Sequence, residues 1–295
     1  MKVLVTGATG FVGSAVVAEL RGAGHEVMGL ARTAAAADVL SALGVSAHRG
    51  DLQDLRSLRE GAAMADAVIH TAFIHDFTKY AANCEIDRQA IEALGTALAA
   101  SDRPLVVTSA TGLLPAGRVS DEQARPAGVL PRIASEQAAD ALAQRGVRVS
   151  VVRLPPSVHG DGDHGFVPML IDFARRKGVS AYVGEGLNRW CAVHRLDAAR
   201  VYRRVLETGA RESRYHAVAE EGIAFHEIAA VIGRRLNLPV VAQSVAEAPA
   251  HFEWFAHFAQ LDSPASSRQT REWLGWSPTQ PGLLADIDRP AYFGG

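Results

Sequence analysis

Apolar residues recur along this chain in two rhythms. Short runs such as Val3-Leu4-Val5 read as buried strands, while longer stretches repeat at the three- and four-residue spacing of a helical face. Strands are predicted at Lys2–Thr6, Glu26–Ala31, Val45–Arg49, Ala67–Ala72, Pro104–Ser109 and Arg148–Arg153. Helices are predicted between them. The first, Phe11–Ala23, sets Val12, Val16, Val17 and Leu20 on one side and stops at Gly24. Others fall near Ala34–Leu43, Asp54–Gly61, Tyr80–Ala100 and Arg132–Gln144. In the fourth, Ile86, Ala90, Leu94 and Leu98 stand four apart. Strand and helix in regular alternation imply an α/β fold, a Rossmann-type doubly wound parallel sheet with helices on both faces.

The alternation breaks after Arg153. Pro155-Pro156 and the turn-rich Gly160-Asp161-Gly162-Asp163 are followed by a short helix near Phe166–Lys177, a strand at Trp190–His194 and a helix at Asp197–Glu207. Further helical patterns lie at Phe225–Leu236 and Ser267–Leu274, with an aromatic cluster at Phe252, Trp254, Phe255 and Phe258. The expected division is a dinucleotide-binding domain over 1–155, to which 190–210 returns. A smaller C-terminal substrate lobe is then made of 156–189 and 211–295.

The first strand runs into Thr6-Gly7-Ala8-Thr9-Gly10-Phe11-Val12-Gly13, a G-x-x-G-x-x-G turn that opens a helix. Such a turn aims backbone N–H groups and the positive end of a helix dipole at one point, which suits a diphosphate. Glycine is needed because a Cβ would block the turn or the contact of helix on sheet. The end of the second strand, Leu30-Ala31-Arg32-Thr33, has no acid for a ribose 2′-OH before Asp38. Arg32 instead suits a 2′-phosphate, so NADP(H) is expected, with NAD(H) as the alternative.

Composition narrows the rest. The chain has 295 residues, 48% of them hydrophobic, and a net charge of −2, which recommends neither nucleic acid nor an acidic membrane as partner. Cys84 and Cys191 are too few and too far apart for a metal set and read as reduced thiols. No apolar run reaches membrane-spanning length, and the glycine turn at residue 7 leaves no space for a signal peptide ahead of it. A soluble cytoplasmic protein is expected. His159, Asp161, Asp163 and His164 lie close together, but Gly160 and Gly162 between them favour a turn, and no metal is expected.

Taken with its further motifs, the chain resembles the extended short-chain dehydrogenase/reductases, which include sugar-nucleotide epimerases and dehydratases. Gly7, Gly10 and Gly13 match the dinucleotide turn, and Gly50-Asp51-Leu52 the stretch that meets the adenine. His70-Thr71-Ala72, followed by Phe73, matches the strand end beside the ribose, and Thr108-Ser109-Ala110-Thr111 the strand that supplies the active-site hydroxyl. Pro155, Ser157 and Val158 lie in the segment that the resemblance places beside the nicotinamide. It also implies a homodimer through the helices near 80–100 and 132–144.

One departure bears on chemistry. The family's catalytic pair is Tyr-x-x-x-Lys at the start of the helix near Arg132–Gln144, and no such spacing occurs in this chain. The best register puts Arg132 at the tyrosine and Glu136 at the lysine. Arginine stays charged and cannot transfer the proton, but it can stabilise a developing alkoxide. Glu136 could accept from ribose hydroxyls or pair with Arg132 one helical turn away. Ser109 is the candidate hydroxyl to orient a carbonyl oxygen, with Thr111 second. Candidate proton donors are His159, Tyr182 and His75, and candidate substrate contacts are Asp161, His164, Tyr182 and Trp190. The expected activity is NAD(P)-dependent hydride transfer to or from a small carbonyl or hydroxyl compound. The alternatives are a non-catalytic NADP-binding sensor and an epimerase or dehydratase with tightly held cofactor.

Overall fold

A computed structural model of the chain describes residues 1–294. Its first half alternates as the pattern requires: β1 (Lys2–Thr6), α1 (Phe11–Gly22), β2 (Glu26–Ala31), α2 (Ala34–Ala42), β3 (Ser46–Arg49), α3 (Leu55–Ala63), β4 (Ala67–His70), α4 (Tyr80–Leu98), β5 (Leu105–Ala110), α5 (Ile133–Gln144) and β6 (Val149–Leu154). The second half adds β7 (Ser157–His159), α6 (Phe166–Lys177), β8 (Ser180–Val183), β9 (Arg189–His194), α7 (Arg195–Glu207), β10 (Arg214–His216), β11 (Glu220–Ala224), α8 (Phe225–Leu236) and β12 (Val240–Gln243). Short helical turns follow.

Seven parallel strands form the main sheet in the order β10-β6-β5-β4-β1-β2-β3. Side chains alternate across it. Val3 and Val5 join one core with α1 and α7, while Leu4 joins the other with α3, α4 and α5. The strand order reverses between β1 and β4, where a crevice opens at the carboxyl ends of the strands.

A third core gathers Phe173, Trp190, Phe225, Phe252 and Phe255 among α6, α8 and two small sheets, β11-β9-β7 and β12-β8. The aromatic cluster expected at 252–258 is therefore divided. Phe252 and Phe255 are buried, whereas Trp254 is 50% exposed.

The structure corrects the expected division of the chain. Strand β10 lies inside the stretch assigned to the smaller lobe, yet it pairs with β6 in the main sheet. Pairing there satisfies the outer edge of β6, whose amides and carbonyls would otherwise stand open. Tyr215, Leu274 and Trp276 also pack in the core beneath the main sheet, and the Trp276 indole donates to the Asp197 carbonyl at 3.2 Å. Conversely, β9 within 190–210 belongs to a small sheet, and only α7 returns to pack on α1.

The outward faces of α4 and α5 are polar. Arg88 bonds Glu85 and Glu92 on the first, and Gln137 and Gln144 stand on the second. Among the described residues no helix is long and apolar enough to cross a membrane.

Candidate active site

The glycine turn between β1 and α1 is built by close approach. Gly7 has φ +68°, and a Cβ on it would lie 2.8 Å from the Ala72 amide nitrogen. A Cβ on Gly13 would lie 2.0 Å from the Gly7 carbonyl. Gly10 is the N-cap of α1 and no side chain caps the helix, so the first-turn amides are left for a ligand.

These amides border a cleft of about 1490 Å³ that runs across the carboxyl ends of the main sheet. Gly7, Thr9, Gly10, Phe11, Val12 and Gly13 line it, as do Arg32, Asp51, Leu52, Thr71, Ala72, Phe73, Pro155 and Val158. Of the residues expected at the cofactor, Ser157 alone is absent from the wall, being buried on β7. Arg32 is largely exposed, 4.0 Å from the Asp51 carboxylate, and Thr33 caps α2 by accepting from the Ala36 amide.

At the other end the two residues in the catalytic register have different fates. Arg132, the N-cap of α5, lies on the cleft wall. It does not pair with Glu136. Its guanidinium is bonded to buried Asp87, to the Ser135 hydroxyl at 2.8 Å and to the Thr108 carbonyl at 3.1 Å. The Phe73 ring covers it at 4.1 Å. Asp87 also accepts from Ser135 at 2.7 Å and from the His70 Nε2–H at 3.1 Å, and His70 meets the Thr6 hydroxyl through Nδ1. Burial opposes ionisation of Asp87, but Arg132, His70 and Ser135 outweigh it and hold its pKa below the ordinary value.

Glu136 is 1% exposed and does not line the cleft. Arg153 grips both of its oxygens at 2.8 Å, Arg214 donates at 2.9 Å, and Ser109 donates its hydroxyl proton at 2.8 Å. Burial raises its pKa, yet the two guanidinium groups prevail and lower it. A ribose contact for Glu136 is thus overturned, because its lone pairs face cations inside the protein. A donor role for Ser109 fails too, because its one proton is committed to Glu136. Thr111 is buried against Cys191 and Ser263, off the wall.

The candidate proton donors and substrate contacts also separate. His159 is fully buried and bonded to Asp286 at 2.8 Å, and Tyr182 packs beside His226 in the smaller lobe. Neither lines the cleft, and nor do Asp161, which pairs with Arg289, and Trp190, which is core. His75, Asp163 and His164 do line it. His75 stands beside Phe73, and confinement, then the Arg132 charge, lower its pKa. Burial pushes the Asp163 carboxyl up to about 6. Tyr80 also faces the cleft, but burial lifts its hydroxyl to about 12, too weak an acid to replace the missing tyrosine.

A model for the NAD dependent epimerase/dehydratase family matches residues 3–218. The chain belongs to that family. An uncharacterized protein of Schizosaccharomyces pombe is 48% identical over 295 residues, covering 99% of this chain and all of its own. Another, of Saccharomyces cerevisiae, is 47% identical over 291 residues, covering 97% and 98%. Among solved structures, a dTDP-glucose 4,6-dehydratase of Streptomyces venezuelae with NAD bound superimposes with a TM-score of 0.79 at 20% identity, covering 100% and 97%. A UDP-glucose 4-epimerase of Thermus thermophilus with NAD gives 0.77 at 23%, covering 100% and 99%. Both share the fold.

In this family member the residues that sequence reasoning overlooked are Asp87 and the arginines on Glu136, while His70 was matched only as part of a strand end. A signal for them was present. Arg153 follows the apolar pair Val151-Val152 within a buried strand, and a buried guanidinium requires a buried acid. Asp87 stands four residues before Ile91 on the inward side of α4.

Proposed function

We propose that the protein is an NADP(H)-dependent oxidoreductase that interconverts a small carbonyl compound and its alcohol. The observation that carries this reading is the unbroken cleft from the uncapped amino end of α1 to the Arg132 guanidinium. The residues present fit a dinucleotide. The α1 amides are uncapped and suit a diphosphate, Asp51 and Leu52 line the cleft beyond them, and the exposed Arg32 guanidinium beside Asp51 suits a 2′-phosphate. The bound nicotinamide dinucleotide would supply or accept the hydride.

Arg132 orients the substrate oxygen and stabilises the charge that grows on it. Asp87 and Phe73 hold its guanidinium in one place, so little reorganisation is needed as that charge appears. His75 delivers the proton to the oxygen during reduction and removes it during oxidation. Its place beside Phe73 puts it near Arg132, and it is open to cleft water for exchange. A ketoreductase of Stigmatella aurantiaca acting on 4-hydroxy-2-methyl-3-oxo-4-farnesyl-3,4-dihydroquinoline-1-oxide supports carbonyl chemistry. It is 30% identical over 191 residues, covering 60% of this chain and 56% of its own.

The test is a screen for NADPH oxidation across aldehydes and ketones, run beside a titration of NADPH and NADH. Turnover of a carbonyl compound is expected. Tight cofactor binding with no turnover on any of them would favour the sensor reading.

A further inference from the structure

The two ends of the cleft differ chemically. The end beyond Arg132 is walled by Phe77, Phe166, Met169, Trp254, Phe258 and Leu261. Phe258 meets Phe166 at 4.8 Å and Phe77 at 5.8 Å. Phe77 stacks on Trp254 at 4.9 Å with an interplanar angle of 24°, joining the loop after β4 to the smaller lobe across the mouth.

Positive charge is scarce there. Among the described residues, Arg32 and Arg132 are the two Lys or Arg side chains on the cleft wall. Arg32 is at the adenosine end, and the charge of Arg132 is already matched by buried Asp87. Of the histidines, which are not permanent cations, His75 stands beside Phe73 with a lowered pKa, His164 packs against Phe11 at the glycine turn and His257 against Phe258. A nucleoside-diphosphate sugar brings two phosphate charges into its site, and these need guanidinium or ammonium partners once water is displaced. Beyond Arg132 this wall offers none. It offers aromatic faces, which stack on flat rings and exclude water.

We infer that the substrate is a neutral carbonyl compound with an aromatic body, seated against Trp254 and Phe77, and that sugar nucleotides are excluded. The inference rests on the oxidoreductase reading for the carbonyl and on the charge of the wall for the rest.

The test is calorimetric titration of the NADP⁺-saturated protein, with 2-acetylnaphthalene as the neutral probe and UDP-glucose as the charged one. Saturable binding of the ketone is expected, with no heat from UDP-glucose up to millimolar concentration. Trp254→Ala and Phe77→Ala should each weaken the ketone about tenfold. Trp254 is half exposed, so its loss leaves the core intact, and Trp254→Phe should recover most of the affinity. UDP-glucose binding as tightly as the ketone, no binding of the ketone, or unchanged affinity in both alanine variants would overturn the inference. Ketone that binds as expected yet is not reduced with NADPH would refute the oxidoreductase reading and the carbonyl with it, and leave the neutral aromatic ligand class standing.

Discussion

Ser109 donates its hydroxyl proton to Glu136 across 2.8 Å, so a serine at the cleft wall works inward, as part of a buried ionic cluster. The expected consequence of Ser109→Ala is a stability loss of about 2 kcal/mol, the worth of a hydrogen bond to a charged group. Carbonyl turnover should stay within about threefold of the parent, since no substrate contact is lost. A collapse of kcat with unchanged urea stability would return Ser109 to the chemistry.

Glu136 is the anion that Arg153 and Arg214 share. Glu136→Gln keeps the shape and removes the charge, leaving two guanidinium groups short of a counter-ion. A loss of about 3 kcal/mol in urea unfolding is expected. NADPH affinity at low temperature should hold, because Glu136 is off the cleft. The acid limb of stability follows from the same cluster. The pKa values of Glu136 and Asp87 are both lowered by folding, so their contribution is complete above the unfolded values. It should fade as pH drops below about 4.3 and 3.9 respectively, seen as a falling urea midpoint. A midpoint flat down through that range would contradict it.

Arg132 and Asp87 form a buried pair with one face on the cleft. Arg132→Ala should reduce kcat about a hundredfold while NADPH binding stays nearly unchanged. It also leaves Asp87 buried without its main cation, which alone should lower stability by about 3 kcal/mol. Adding Asp87→Asn should restore much of that stability and none of the rate. Recovery of both together would reduce Arg132 to a structural role.

In the proposed reaction, His75 gives carbonyl reduction a pH dependence. Its folded pKa lies below 6.5, so at neutral pH little of the acid form is present. The rate should climb as pH falls below neutrality and level off beneath that lowered pKa. His75→Gln should flatten the profile with small change in Tm. A profile identical in the variant would remove His75 from the proton step.

The proposed preference for NADP(H) turns on Arg32. With a largely exposed guanidinium, Arg32→Ala should weaken NADPH by about tenfold and leave NADH affinity unaltered. Equal losses for both would show that Arg32 does not read the 2′-phosphate.

By itself, the sequence determined the doubly wound sheet, the glycine turn and the absence of any Tyr-x-x-x-Lys spacing. Each is written in spacings of two to four residues, which backbone geometry converts directly into strand, turn and helix. The partners of the altered pair were decided only in three dimensions. Arg132 finds Asp87 45 residues away, and Glu136 finds Arg153 17 and Arg214 78 residues away. Nothing local marks such pairs, because they form where packing on the sheet leaves a buried charge in need of its opposite. Strand β10 joined the main sheet for a similar reason. Three residues carry almost no pattern, but the open edge of β6 required a neighbour. The aromatic end of the cleft likewise arose from Phe77 and Trp254, far apart in the chain and brought together by two separate cores.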